Sequence, residues 1–359
     1  MQLTRLLTLA AVSGPLMVSA HPGHVEEDAT PELKNYKANV RRSAEGCTFH
    51  WAENGLQSRA IARRQATIDM HRRRLEKKDS SKVLNTSHYE SDIKLNSPFE
   101  DVWSASSIPL NPEGESGPYW VVGERLRSNI LESQRGVPVI IEEQYIDVET
   151  CEPITDMFAE IWGCNSTGVY SGLVAEGNGN PSDVGNHNTT FLRGIQRTDE
   201  DGVVTFLTLF PGHYDGRTTH HHVVAHLNTT LLPNNTLAGG YYPHIGQFFY
   251  DQDLIEKVEA TYPYNTNTIP QTSNKEDRVF AQETEGSTTS DPVLHYTFLG
   301  DKIEDGIFAW VQVAINTSAH HYPYYTNVLT ADGGKNVTGT DCGSYTVIDG
   351  GLCNTTSSD

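Results

Sequence analysis

The chain has 359 residues, 37% of them hydrophobic. At roughly 150 residues per domain this suits one large domain or two smaller ones, with a core large enough to fold without disulfide staples. Asp and Glu outnumber Lys and Arg by 46 to 26, a formal net charge of −20; this is the wrong sign for a partner of DNA or RNA. No internal apolar run approaches the ~20 residues of a membrane span, so a soluble globular protein is expected.

Met1 to Ala20 reads as a secretory signal, with Arg5 ahead of the apolar run Leu6 to Val12 and small residues at Val18-Ser19-Ala20. Cleavage there leaves a chain beginning at His21. Sequons at Asn85, Asn165, Asn188, Asn228, Asn234, Asn316, Asn336 and Asn354 agree with a secreted, N-glycosylated protein. The five cysteines, Cys47, Cys151, Cys164, Cys342 and Cys353, leave at least one thiol free or intermolecular. Cys342 and Cys353 are the first choice for a bridge. Cys151 and Cys164 flank one predicted strand and cannot meet if it is extended. Zinc spacing is absent from the cysteines and histidines.

Residues 21–56 are polar without a clear period. Residues 59–78 carry eight Lys/Arg against two Asp/Glu, with Ile61, Ile68 and Leu75 seven apart, predicting a basic helix with a narrow apolar stripe. It reads as a solvated helix packed by one edge on the main domain; a polybasic anchor, or processing at Arg63-Arg64 or Arg72-Arg73-Arg74, is the functional alternative. Residues 79–115 read as a linker. Short strands then follow at Val139–Ile141, Met157–Trp162, Val203–Leu207, Val223–Leu227, Ile245–Tyr250, Val293–Phe298 and Ile307–Ile315. Asp199 to Gly202 signals a hairpin turn. Seven such strands without convincing intervening helices predict an all-β core, an antiparallel sandwich or barrel. The polar stretches 264–290 and 328–359 are expected to cover the surface.

The chemistry concentrates between 162 and 250. On a strand over 220–226, His220 and His222 point to one face and His221 to the other. Two imidazoles so placed can share one cation, and imidazole suits iron, copper or zinc; a polar His-rich edge strand is the bland reading. Tyr214 follows a Pro-Gly turn, and Tyr170 ends a strand in a Gly-rich one. A phenol ionises near pH 10, but a trivalent ion stabilises the phenolate, as metals do for bound thiols and water. Alone, either Tyr is more often a core or rim aromatic.

With these residues in view, the sequence resembles the intradiol ring-cleavage dioxygenases. The matching run comprises Gly117-Pro118-Tyr119-Trp120, Gly136-Val137-Pro138, Ile146-Asp147, Cys151-Glu152-Pro153, Ile161-Trp162 and Gly168 to Ser171. It continues through Phe191 to Gly194, Thr198 to Gly202 and Pro211 to His222. The resemblance spans residues 115 to 250, and the leader and sequons make it similar to a secreted fungal-type branch. It implies a β-sandwich over 116–327, preceded by an N-terminal extension (21–115) and followed by a C-terminal tail (328–359). It further implies Fe(III) held by Tyr170, Tyr214, His220 and His222, with Tyr214 leaving when a catechol chelates the metal.

By the same resemblance Arg217 lies beside the substrate, where its charge stabilises a ketonised catecholate. Gln247 supplies a pocket amide, and Tyr119 lines the pocket without binding metal. The implied partners are a catechol-type diol and O2, without a separate Asp or Glu base. Three departures stand out: only five residues separate Tyr214 from His220, His221 replaces an apolar residue, and the N-terminal helix matches loosely, so family-style dimerisation is not implied. His226 shares the parity of His220 and His222, as a second-layer group or a satisfied polar residue. Two other readings stay open: a copper protein using His220, His222 and His226, or His21, and a non-catalytic β-sandwich that binds glycans.

Overall fold

The computed structural model describes residues 31–76, 116–284, 292–321, 325, 327–330, 333–336, 345–348 and 352–355. The expected leader, the 79–115 linker and Cys342 lie outside them. Two helices come first, α1 (Pro31–Glu53) and α2 (Leu56–Glu76). The strands are β1 (Val121–Val122), β2 (Pro138–Asp147), β3 (Phe158–Trp162), β4 (Arg193–Arg197), β5 (Val203–Leu209), β6 (His220–Leu227), β7 (Thr230–Leu231), β8 (Leu237–Ala238), β9 (Tyr241–Phe249), β10 (His295–Phe298), β11 (Ile307–Ile315), β12 (Asn327–Thr330) and β13 (Gly333–Asn336). A last hairpin pairs β14 (Tyr345–Ile348) with β15 (Leu352–Thr355). Helices α3 (Gln252–Glu259) and α4 (Arg278–Thr284) lie between β9 and β10. Among the described residues no helix is long and apolar enough to cross a membrane.

Two four-stranded sheets, ordered β10-β11-β2-β5 and β4-β3-β6-β9, face each other. Their inner side chains, among them Val139, Ile141, Ile161, Phe206, Val223, Phe248 and Val311, form one core. The all-β sandwich expected from the sequence is therefore present, and each of the seven predicted strands forms. Within these two sheets one pairing differs from the antiparallel expectation. Central β2 runs parallel to β11, and every residue of β11 is buried, as strands covered on both faces are.

The outer face of the first sheet is covered by the helices. Ile68 packs on Ile140, Phe308 and Trp310; Val40 and Ala44 pack on Val148 and Ala314. The periodless reading of residues 21–56 is corrected here. Val40, Ala44, Cys47 and Trp51 are buried at spacings of four, three and four, a helical stripe thinned by small residues. Among the described side chains of α2 the buried positions are Leu56, Ala60, Arg64 and Ile68; of the expected stripe Ile68 is buried, Ile61 is half-buried, and Leu75 lies outside the described side chains. Its basic residues meet carboxylates: Arg64 Nε donates to Glu142 at 2.7 Å, Arg63 Nε to Glu142 at 3.1 Å, and Arg59 Nε to Asp201 at 2.9 Å. Packing by one edge on the main domain is thus what the structure shows, and Arg63-Arg64 is engaged rather than open to processing.

Among the described cysteines one thiol is free, as the odd count requires, and two other expectations change. Cys47 is bonded to Cys151, while Cys164 is free and buried. The turn at Asp199–Gly202 forms, closed by Asp199 Oδ1 accepting from Asp201 N and Val203 N at 2.9 Å each. It joins β4 of one sheet to β5 of the other, however, and is a corner rather than a ladder hairpin. Residues expected only to cover the surface reach the interior: Tyr264 and Asp277 are buried, and β12, at the expected 327/328 boundary, pairs with β1.

Candidate functional site

The strand parity of β6 positions the site. Val223 and Ala225 enter the core between the sheets, so His220, His222 and Val224 point to the outer face of the second sheet, as period two requires. Tyr119, Trp120, Trp162, Tyr170, Tyr214 and Tyr242 form a second apolar cluster over that face. His221 points inward, its ring 5.9 Å from that of Tyr250. Burial pushes its pKa down to about 3, so it is neutral. A Cβ at position 163 would lie 2.9 Å from His221 Nδ1; Gly163 makes the room for this unusual inward histidine.

Across the pleated face, His222 sits opposite Trp162 of β3 and Gln247 of β9. Trp162 stacks on His222 with centroids 4.8 Å apart and planes 2° from parallel, which fixes the imidazole plane. Thr218 O faces His220 Nδ1 at 2.6 Å. This carbonyl can only accept, so Nδ1 carries the proton and Nε2 presents its lone pair to the cluster.

Two loops bring the tyrosines to that lone pair. In the first, Asn165 Oδ1 accepts from Thr167 N at 3.0 Å and Val169 N at 3.1 Å. Gly168 has φ +82°, and a Cβ there would meet His213 O at 2.1 Å, so only glycine lets the two loops touch. Asn178 then grips the Tyr170 backbone, accepting from its N–H at 2.7 Å and donating to its carbonyl at 2.9 Å. In the second loop, Glu259 and Ile269 O face the two ring nitrogens of His213, each at 2.8 Å, which anchors the residue before Tyr214.

The result is a cluster of four heteroatoms. His220 Nε2 lies 3.0 Å from His222 Nε2, 3.3 Å from Tyr214 Oη and 3.4 Å from Tyr170 Oη. All four residues are at most 1% exposed. Donor atoms that share one ion through bonds of about 2.0–2.1 Å sit roughly 3.0–3.4 Å apart, so the spacing fits a single metal. Burial pushes the phenols of Tyr170 and Tyr214 well above their ordinary range, with Arg217 pulling Tyr214 partly back. As phenolates in so dry a place they need a strong cationic partner, which a trivalent ion supplies. Among the described residues no group of three or more His, Cys, Asp or Glu side chains is arranged to hold a metal; a metal here draws on the two phenols.

Arg217 borders this cluster, fully buried. Its NH1 lies 3.4 Å from Tyr214 Oη, its NH2 donates to Gln247 Oε1 at 2.5 Å, and its Nε donates to Asp277 Oδ2 at 2.9 Å. Tyr119 packs against Tyr170 and Tyr214 at 4.9 and 5.7 Å between centroids. Its hydroxyl turns away to donate to Glu176 O at 3.4 Å. All seven residues singled out from the sequence therefore lie together. His226 does not join them: it sits at a register irregularity of β6 and pairs with Glu160 at 2.8 Å, a satisfied polar residue one layer away. Sequence reasoning missed Asp277, the stacking of Trp162 on His222, and the clamps on Tyr170 from Asn178 and from Asn186, whose Nδ2 donates to Tyr170 O at 2.8 Å. An Asn-rich stretch after a Gly-Val-Tyr turn was the available signal for the clamps; Asp277 had none.

This is a β-sandwich protein with a buried two-tyrosine, two-histidine cluster on the outer face of one sheet. No family model and no curated protein matches the chain, but solved structures do. The intradiol ring-cleavage dioxygenase from Tetranychus urticae is 31% identical, over 59% of this chain and 97% of its own, with a TM-score of 0.49. A second solved dioxygenase is also 31% identical, over 59% of this chain and 96% of its own, with a TM-score of 0.48. The dioxygenase domain of a dioxygenase carbohydrate-binding protein fusion from Streptomyces sp. SirexAA-E is 20% identical, over 58% and 99%, with a TM-score of 0.36. The chain belongs to the intradiol ring-cleavage dioxygenases.

Proposed function

We propose that the protein is a non-haem Fe(III) enzyme that uses O2 to cleave a catechol-type ring between its two hydroxylated carbons, giving a muconate-type diacid. The observation that carries this reading is the meeting of Tyr170, Tyr214, His220 and His222 at 3.0–3.4 Å around His220 Nε2, with Arg217 beside Tyr214. These four side chains would hold the metal. Bound there, ferric iron would supply Lewis acidity that acidifies both catechol hydroxyls and makes the ring carbons more open to O2.

The protein's own groups do the rest. Tyr214 Oη, as a phenolate, would accept one catechol proton and a hydroxide from solvent the other, so no carboxylate base is required. Arg217 NH1, within 3.4 Å of that oxygen, stabilises negative charge developing on the substrate. Gln247 accepts from the neighbouring NH2 and holds the guanidinium plane. Fixed donors in a dry site need no reorganisation as charge develops. Tyr119 walls the pocket. The engagement of His226 Nε2 with Glu160 favours the iron reading over a copper site built on His220, His222 and His226; the His21 form of the copper reading lies outside the described residues.

We also read the chain as secreted and N-glycosylated. The leader-like Met1–Ala20 and the sequons support this, and Asn188 and Asn234 are exposed.

The full-length protein, purified and analysed for metal, is expected to contain iron and to be coloured by a tyrosinate-to-iron band. With catechol and isotopically labelled O2 it should yield a diacid carrying both labelled atoms. A colourless protein fully loaded with zinc or copper would overturn the assignment.

A further inference from the structure

The polar stretch after α3 folds back over the loop that carries Tyr214 and Arg217. Asn267 Nδ2 donates to His213 O at 2.7 Å, and Thr218 Oγ1 donates to Asn274 Oδ1 at 2.7 Å. Asp277 completes this strap. Its Oδ2 accepts from Arg217 Nε at 2.9 Å and from Thr218 N at 2.8 Å. Its Oδ1 accepts from Phe280 N at 2.9 Å, capping α4. Both Asp277 and Arg217 are at most 1% exposed, so bulk water cannot stand in for either partner.

We propose that Asp277 is a positioning residue for the reaction: it locks the Nε edge of Arg217 so that the opposite edge of the guanidinium faces Tyr214 Oη and Gln247. The proposal rests on the reading of Arg217 as the pocket cation. A guanidinium is a rigid fork, so fixing one edge fixes the direction of the other two nitrogens. The cap on α4 holds the carboxylate in place. Removed from this partner, a buried cation faces a large desolvation cost and has reason to turn away. The same carboxylate braces Thr218, whose carbonyl orients His220, so one side chain steadies both the cation and a candidate ligand.

Asp277→Asn keeps the size but removes the charge, and its single amide oxygen can replace Oδ1 toward Phe280 N or Oδ2 toward Thr218 N and Arg217 Nε, not both. Losing one fixed electrostatic donor costs about 10²–10³ in rate, which sets the expectation for Arg217→Ala. Asp277→Asn should lower kcat by about 10–100-fold, less than the full loss of the donor because the guanidinium is still present, with KM and iron content little changed. The double variant should be no slower than Arg217→Ala alone, because residues acting through one another are not additive. A purely structural role predicts multiplied losses. Should Asp277→Asn not accumulate folded, Asp277→Ser, which still caps α4, enters the same cycle.

A second readout does not depend on catalysis. In the full-length metal-free protein, the Arg217 Nε–H nuclear resonance, assigned by its loss in Arg217→Ala, should be slow to exchange and should shift or broaden in Asp277→Asn. If the parent cleaves no catechol while this resonance responds, the functional reading falls, and with it the role in that reaction, while the orientation of Arg217 by Asp277 stands. If the parent cleaves catechol but Asp277→Asn keeps its turnover within about twofold, or its loss multiplies with that of Arg217→Ala, Asp277 is not the positioning residue.

Discussion

Glu143 offers a test of the sandwich core that is independent of the reaction. It lies in β2 opposite Val204 of β5 and Val311 of β11, pointing between the sheets, and it is fully buried. Its Oε2 accepts from Tyr145 Oη at 2.8 Å, while Oε1 has no hydrogen-bond partner among the described residues. Burial pushes the carboxyl up to about 8, with Tyr145 pulling weakly the other way. In the unfolded chain it titrates at the ordinary 4.5.

The native state therefore holds a proton that the unfolded state has lost between these two values. The unfolded form binds fewer protons there, so stability falls as pH rises, by about 1.4 kcal/mol per pH unit. The contribution is fully present below pH 4.5 and is lost through pH 8. From pH 5 to 7.5 the upper value is about 3 kcal/mol. Glu124, pushed up to about 7 by burial despite Arg193, adds a slope of the same sign, so the comparison with Glu143→Gln isolates Glu143. Urea unfolding of both proteins at several pH values from 5 to 8 measures it. The parent should lose stability more steeply, and the two curves should converge or cross as pH rises. Parallel curves would refute the buried, protonated carboxyl.

The tyrosines separate by role. Tyr170→Phe should weaken iron retention or shift the redox state of the metal, whereas Tyr214→Phe should keep some iron, change the colour and slow catechol chelation. Tyr119→Phe should keep both iron and colour; iron content and visible spectra with and without catechol decide, and loss of the band in Tyr119→Phe alone would place the first tyrosinate on the wrong motif. Under the helices, Glu142→Gln should destabilise the fold by about 3–5 kcal/mol, because it strands a buried guanidinium. Arg64, 5% exposed and 5.7 Å over the Trp310 ring, would lose its carboxylate. Replacing both partners, as Arg64→Met with Glu142→Leu, should recover most of the loss in urea midpoint; no recovery would count against a desolvated pair.

What the sequence determined by itself was local. The β-branched and aromatic runs within Val203–Leu207, Ile245–Tyr250 and their neighbours announce strands, because such side chains fit a pleated, packed surface. The two-residue period of a strand separates His220 and His222 from His221 before any coordinate is known. The Gly-rich turns announce Tyr170 and Tyr214, because only such turns bring two loops this close.

What tertiary structure alone decided are the partnerships across the chain. Helix α1 hides in a polar sequence, because its stripe of Val40, Ala44, Cys47 and Trp51 gains its burial from the sheet. That docking, and no spacing rule, brings Cys47 to Cys151, 104 residues away. The parallel pairing of β2 with β11 joins strands separated by the entire second sheet, and hydrophobic pattern carries no record of strand direction. Asp277 reads as one acid in a polar run until the strap folds over Arg217, 60 residues earlier. A buried charge is recognisable only once its counter-charge is placed beside it, and that placement belongs to the packed fold.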